Sequence, residues 1–170
     1  MRCFLGINLN NHAKEFNNVK LPDAKSMKLA KQYHITRIFF KDLSEGEINS
    51  LLNKLDSFKF NSFNLSADRL GAFPNKSETE LYGLCFSNES DLIKLKKKLS
   101  ILIDNSSQDI FKPHITILRK EKLSKTFKKS KEIVRELKPI SLKINEFGLY
   151  KSEPDIGMNS YTPIKIWKLK

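Results

Sequence analysis

The tripeptide His-Ile-Thr occurs twice in this chain, within YHITRIFF at 33–40 and within FKPHITILRK at 111–120, and the two copies use two of only three histidines. Both lie in runs of β-branched and aromatic residues that read as strands. Each follows an opening strand, RCFLGINL in one half and ELYGLCF in the other, by about 30 residues with a helical pattern between. One copy would carry little, because Ile and Thr are ordinary strand formers and a lone histidine is more often hydrogen-bonded in place. Two copies at matched positions require a repeated unit. The expectation is a single domain over 1–170 built from two related halves, about 1–75 and 76–170, each strand–helix–strand–helix–strand.

The local patterns support this. Helices are expected over about 11–19, 44–57, 88–103 and 124–137, and further strands over about 58–70, 140–150 and 161–169. Ser44 and Glu47 form a capping box ahead of Ile48, Leu51, Leu52 and Leu55, while Leu92, Leu95, Leu99 and Leu102 mark one face of the next helix. These aliphatic stripes are core. RLGAFPNKSETE, with Gly71, Pro74 and Asn75, reads as a loop joining the halves.

On a strand, residues two apart share a face, so His34 projects with Thr36 and His114 with Thr116, and Ile35 and Ile115 turn to apolar packing. Halves related by a two-fold would bring the pairs face to face. Such a cleft holds two imidazoles that exchange protons near neutral pH and two hydroxyls that donate to an oxyanion. That set suits phosphodiester chemistry: one neutral histidine takes a proton from water, the other delivers one to the leaving oxygen, and the threonines hold non-bridging oxygens. A metal site fits less well, since each strand supplies one ligand and no third is evident. His12 is expected to be exposed.

Charge and composition bound the rest. Lys and Arg number 31 against 19 Asp and Glu, a net +12 that favours a polyanionic partner. Eight basic residues against one acid fall between Lys112 and Lys131, a candidate phosphate-attracting rim. No stretch approaches the roughly 18 apolar residues of a membrane span, and the N-terminus turns polar too soon for a signal peptide. A globular, cytoplasmic monomer is expected. Cys3 and Cys85, in apolar runs, are expected to be reduced and buried.

The paired His-x-Thr motifs resemble the two-histidine phosphoesterase superfamily, and the flanking residues narrow this to the RNA 2′,3′-cyclic phosphodiesterases, also called 2′-5′ RNA ligases. MRCFLGINL is similar to that family's opening strand, HITRIFF and KPHITILRK to its motif strands, LGAFPN to its mid-chain loop, and FGLYKSEP with YTPIKIWKL to its closing pair. The resemblance implies an α+β, bilobal, pseudo-two-fold fold, with two mainly antiparallel sheets lining a central cleft, helices outside, and no cofactor or metal. It implies as substrate an RNA or nucleotide ending in a 2′,3′-cyclic phosphate, tRNA fragments among the candidates, with ligation or cleavage of 2′-5′ linkages, or RNA binding with little turnover, as alternatives. It further implies His34 as general acid, His114 as base and Arg119 as a phosphate contact, although strict alternation puts Arg119 on the face opposite His114. Phe4 and Tyr150 are candidates to stack a base, with packing the preferred reading. The first motif departs from the family: Arg37 stands three after His34 where a basic residue four after is usual, and FFKD replaces a Leu-Gly.

Overall fold

In the computed structural model, residues 1–21, 27–75, 78–104, 112–120, 135–154 and 159–170 are described. They form β1 (Cys3–Asn8), a 3-10 turn (Asn10–His12), α1 (Ala13–Asn17), β2 (Met27–Leu29), β3 (His34–Phe40), α2 (Glu45–Asp56), β4 (Phe63–Asn75), β5 (Glu78–Phe86), α3 (Ser90–Leu102), β6 (Ile115–Lys120), β7 (Arg135–Ile144), β8 (Glu146–Pro154) and β9 (Asn159–Lys168). The strands make two sheets, ordered β3-β1-β8-β9 and β2-β6-β5-β4-β7, with every neighbouring pair antiparallel. The architecture is α+β, as expected.

The helices form where sequence chemistry requires. At α2, Ser44 Oγ accepts from the Glu47 N–H while Glu47 accepts from the Ser44 N–H, and Ile48, Leu51 and Leu55 are buried below that cap. Leu92, Leu95 and Leu99 of α3 are fully buried, and Ile93 and Ile101 on its other face are exposed. They join one core with Leu5, Ile7, Ile35, Leu84, Ile115 and Ile117 from the central strands. Cys3 and Cys85 are free and buried. No helix among the described residues is long and apolar enough to cross a membrane.

Several boundaries differ from expectation. LGAFPN is strand, the end of a long β4: Gly71, Pro74 and Asn75, expected in a loop, pair with Gly83, Thr79 and Glu78 of β5. The expected strand over 140–150 is two strands turning at Asn145, and 135–137, placed at the end of a helix, open β7. The rest of that expected helix, and the basic residues beyond Lys120, lie outside the described residues. The short β2 carried no readable pattern.

The two sheets do not follow the two halves of the chain. β2 and β4, from the first half, lie in the second sheet, while β8 and β9, from the second half, lie in the first. The hairpin joining β4 to β5 keeps β4 beside its sequence neighbour. The division near residue 75 is therefore a repeat boundary and not a lobe boundary.

Candidate active site

The internal two-fold is visible residue by residue. Gly6 of β1 is paired with Thr36 on one side and Gly148 on the other; Gly83 of β5 is paired with Thr116 and Gly71. The trio β3-β1-β8 thus corresponds to β6-β5-β4, and FGLY at 147–150 to LGAF at 70–73. Strands β3 and β6, in different sheets, approach one another.

Both motif strands carry a bulge at the same place. On β3, Thr36 pairs with Gly6 and Ile38 with Leu5, leaving Arg37 as the extra residue; on β6, Thr116 pairs with Gly83 and Leu118 with Tyr82, leaving Ile117. Before the bulge, alternation holds: Ile35 and Ile115 are fully buried and the His-x-Thr pairs share the opposite face. After it, the side chains exchange faces. Arg119, five residues after His114, returns to the histidine's side, against the expectation from strict alternation. Arg37 goes to the buried side, where Nη2 donates to the Leu92 carbonyl at 3.1 Å and burial pulls its pKa down to about 10. It makes no first-lobe contact in the cleft.

The electrostatics tie these groups together. Burial is the largest influence lowering the pKa of His34, to about 4, followed by the charges of His114 and Arg119. Burial also lowers that of His114, which Arg119 depresses further. The two imidazoles and Arg119 therefore share one field, and repulsion between the rings disfavours two protons in the pair. His114 Nδ1 lies 3.0 Å from the Lys112 carbonyl, which fixes Nδ1–H in the neutral ring and leaves Nε2 as the acceptor. The Gln32 carbonyl acts in the same direction on His34, but its geometry falls short of a hydrogen bond, and His34 Nδ1 has no partner among the described residues.

Aromatic rings surround both histidines. Phe4 and Tyr150 are 2% and 3% exposed and stack on each other at 5.3 Å. Phe4 also lies 5.0 Å from His34 and 5.1 Å from Tyr161, so the rings are packed together beside the first histidine. Gly6 and Gly148 make this possible, since a Cβ on either would stand within 3.0 Å of the Phe4 or Tyr150 ring. Burial, with Glu146 nearby, pushes the Tyr150 hydroxyl up to about 12.

Three residues of the site were not singled out from the sequence. The Tyr161 ring is edge-on to His34 at 4.4 Å, Gln32 holds the Tyr161 backbone at both its N–H and its carbonyl, and Phe73 lies 4.3 Å from His114. Phe73 was within reach, because it stands two residues after Gly71 as Tyr150 does after Gly148. Tyr161 and Gln32 had no such signal; the contact joins the two edge strands of a curled sheet. His12 is partly enclosed, 3.5 Å from a Glu15 carboxylate oxygen and packed near Phe16, outside the cleft.

The model of LigT-like phosphoesterases matches residues 7–80, which span the first motif and the β4–β5 hairpin. No curated protein matches the chain. Among solved structures, TT0787 of Thermus thermophilus aligns at a TM-score of 0.76 and 19% identity, over 99% of this chain and 97% of that one. E. coli LigT in its apo form gives 0.76 at 24% identity, over 99% and 96%. Its complex with 3′-AMP gives 0.75 at 23%, over 99% and 97%.

Proposed function

We propose that this chain, which matches the model of LigT-like phosphoesterases over residues 7–80 and shares the fold of solved LigT structures, is an RNA 2′,3′-cyclic phosphodiesterase of that family. Water attacks the phosphorus of a 3′-terminal cyclic phosphate, the bond to the 3′ oxygen breaks, and a 2′-phosphate results. One imidazole takes the water proton and the other gives a proton to the 3′ oxygen. Thr36, Thr116 and Arg119 hold the non-bridging oxygens. The carrying observation is the matched placement of the two His-x-Thr pairs, each threonine opposite a glycine and each followed by a bulge, on strands β3 and β6 that approach one another, with the charges of His114 and Arg119 acting on His34. A pair that favours a single proton is what paired acid and base catalysis needs, and a bound phosphodiester anion would raise both pKa values toward neutrality. That solved E. coli LigT structures hold ATP, NADP+ and 3′-AMP agrees with a nucleotide ligand.

Resemblance makes His34 the acid and His114 the base. The His114 Nδ1 contact with the Lys112 carbonyl, which leaves Nε2 as acceptor, agrees with His114 as base. A substrate with sulfur at the 3′ bridging position separates them, because a thiolate leaves without protonation. The variant lacking the acid recovers on this substrate, and the one lacking the base does not.

The function is tested by incubating the protein, with excess EDTA, with an oligonucleotide ending in a 2′,3′-cyclic phosphate and analysing the end group. A 2′-phosphate is expected. A 3′-phosphate, action only on 2′-5′ linkages, binding without turnover, or loss of activity that a divalent ion restores would each replace this reading.

A further inference from the structure

The matched bulges return the fifth residue after each histidine to the cleft face, and the two halves differ there. On β6 that residue is Arg119; on β3 it is Phe39, 42% exposed and paired across the strands with Phe4. The first lobe thus has a ring where the second has a cation. A cation has come from elsewhere: Arg2, two residues before Phe4 and exposed, lies with its guanidinium over the Phe39 ring at 5.0 Å. Arg2 makes no ion pair with a described residue. Its strand neighbour Ser152, whose N–H donates to the Arg2 carbonyl at 2.9 Å, keeps a buried hydroxyl without a partner among the described residues. Phe39 lies at the end of β3 away from His34, which pairs with Asn8. Arg2, two residues before Phe4, therefore stands on the cleft face but away from the reacting centre.

We propose that Arg2 and Phe39 form a subsite for the nucleotide next to the one carrying the reacting phosphate. This rests on the phosphodiesterase reading above. The ring restrains the exposed guanidinium, whose N–H groups donate to the oxygens of a neighbouring phosphodiester, and the exposed part of Phe39 offers a surface to the adjoining base or ribose. A mononucleotide fills the reacting centre without reaching this pair, so the subsite makes the protein prefer an oligonucleotide end over a free cyclic nucleotide.

The test compares a nucleoside 2′,3′-cyclic phosphate with a trinucleotide ending in one, in the unmodified protein and in Arg2→Ala, Arg2→Lys and Phe39→Leu. In parallel, binding is measured for the mononucleotide and trinucleotide ending in a 2′-phosphate. Arg2→Ala should lower trinucleotide affinity and kcat/KM about tenfold, the scale of a charge-assisted hydrogen bond, with the mononucleotide values within about twofold. Arg2→Lys, which keeps the charge and loses the planar fork, should fall between, and binding should lose about one phosphate from its salt dependence in Arg2→Ala. Equal effects on both lengths, or none on either, overturn the subsite. If the length-dependent loss is seen in binding but neither cyclic substrate is turned over, the subsite stands and the phosphodiesterase reading fails.

Discussion

Strands β3 and β6 share a histidine, a threonine two residues on, a bulge at the third position and a glycine across from the threonine, yet they differ in what touches each imidazole. His114 has a backbone partner for Nδ1 and an aromatic neighbour in Phe73. His34 has no such partner among the described residues and packs between Phe4 and Tyr161, with Gln32 fastening the latter in place. The backbone repeat positions two equivalent groups, and side chains from exchanged and edge strands make them unequal. A symmetric pair of imidazoles would have no preferred acid or base. In the proposed reaction, unequal surroundings let one fold run both proton transfers at one pH.

The strongest way to break this comparison is to remove one histidine at a time. His34→Ala and His114→Ala should each lower kcat by at least about 10², and the double variant should lose little more than the worse single, since the two act as a unit. Near-full activity in both single variants would reduce the repeat to two similar strands.

Next is the pH dependence of stability. The unfolded His34 binds its proton near 6.5 and the folded one near 4, so between these values the unfolded state holds more protons and stability rises with pH. Chemical denaturation should show the protein weaker at pH 4 than at pH 7 by about 2 to 3 kcal/mol from this group, with His114 adding in the same direction. His34→Ala should flatten the slope more than His114→Ala. Equal flattening would mean that the two environments differ less than their contacts indicate.

Arg119→Ala sharpens the comparison from outside the motifs. It should lower kcat/KM about 10- to 100-fold through a lost charge-assisted contact. Because Arg119 depresses both histidines, its removal should move the acid limb of the rate profile to higher pH. An activity loss with unmoved limbs would place Arg119 with substrate alone.

The smallest effects concern the threonines. Thr36→Val and Thr116→Val are near-isosteric and should each cost about 1 to 3 kcal/mol of transition-state stabilisation, with folding stability little changed. A clear difference between them would show which sheet holds the phosphate more firmly.

The sequence by itself determined the repeat, the motif strands, the capped helix α2 and the common face of each His-x-Thr pair, because these depend on local periodicity and on a side-chain alternation that short strands obey. It also carried the likeness of Gly71-x-Phe73 to Gly148-x-Tyr150. Only the tertiary structure decided the face of Arg119 and of Arg37, since a bulge depends on the register of the neighbouring strand and leaves no mark on one strand's own pattern. It also decided that Phe4 and Tyr150 pack on each other, that β4 and β8 trade sheets, and that Tyr161 meets His34. Each of these brings together residues far apart in the chain, and which of them meet is set by how the sheets curl and pair.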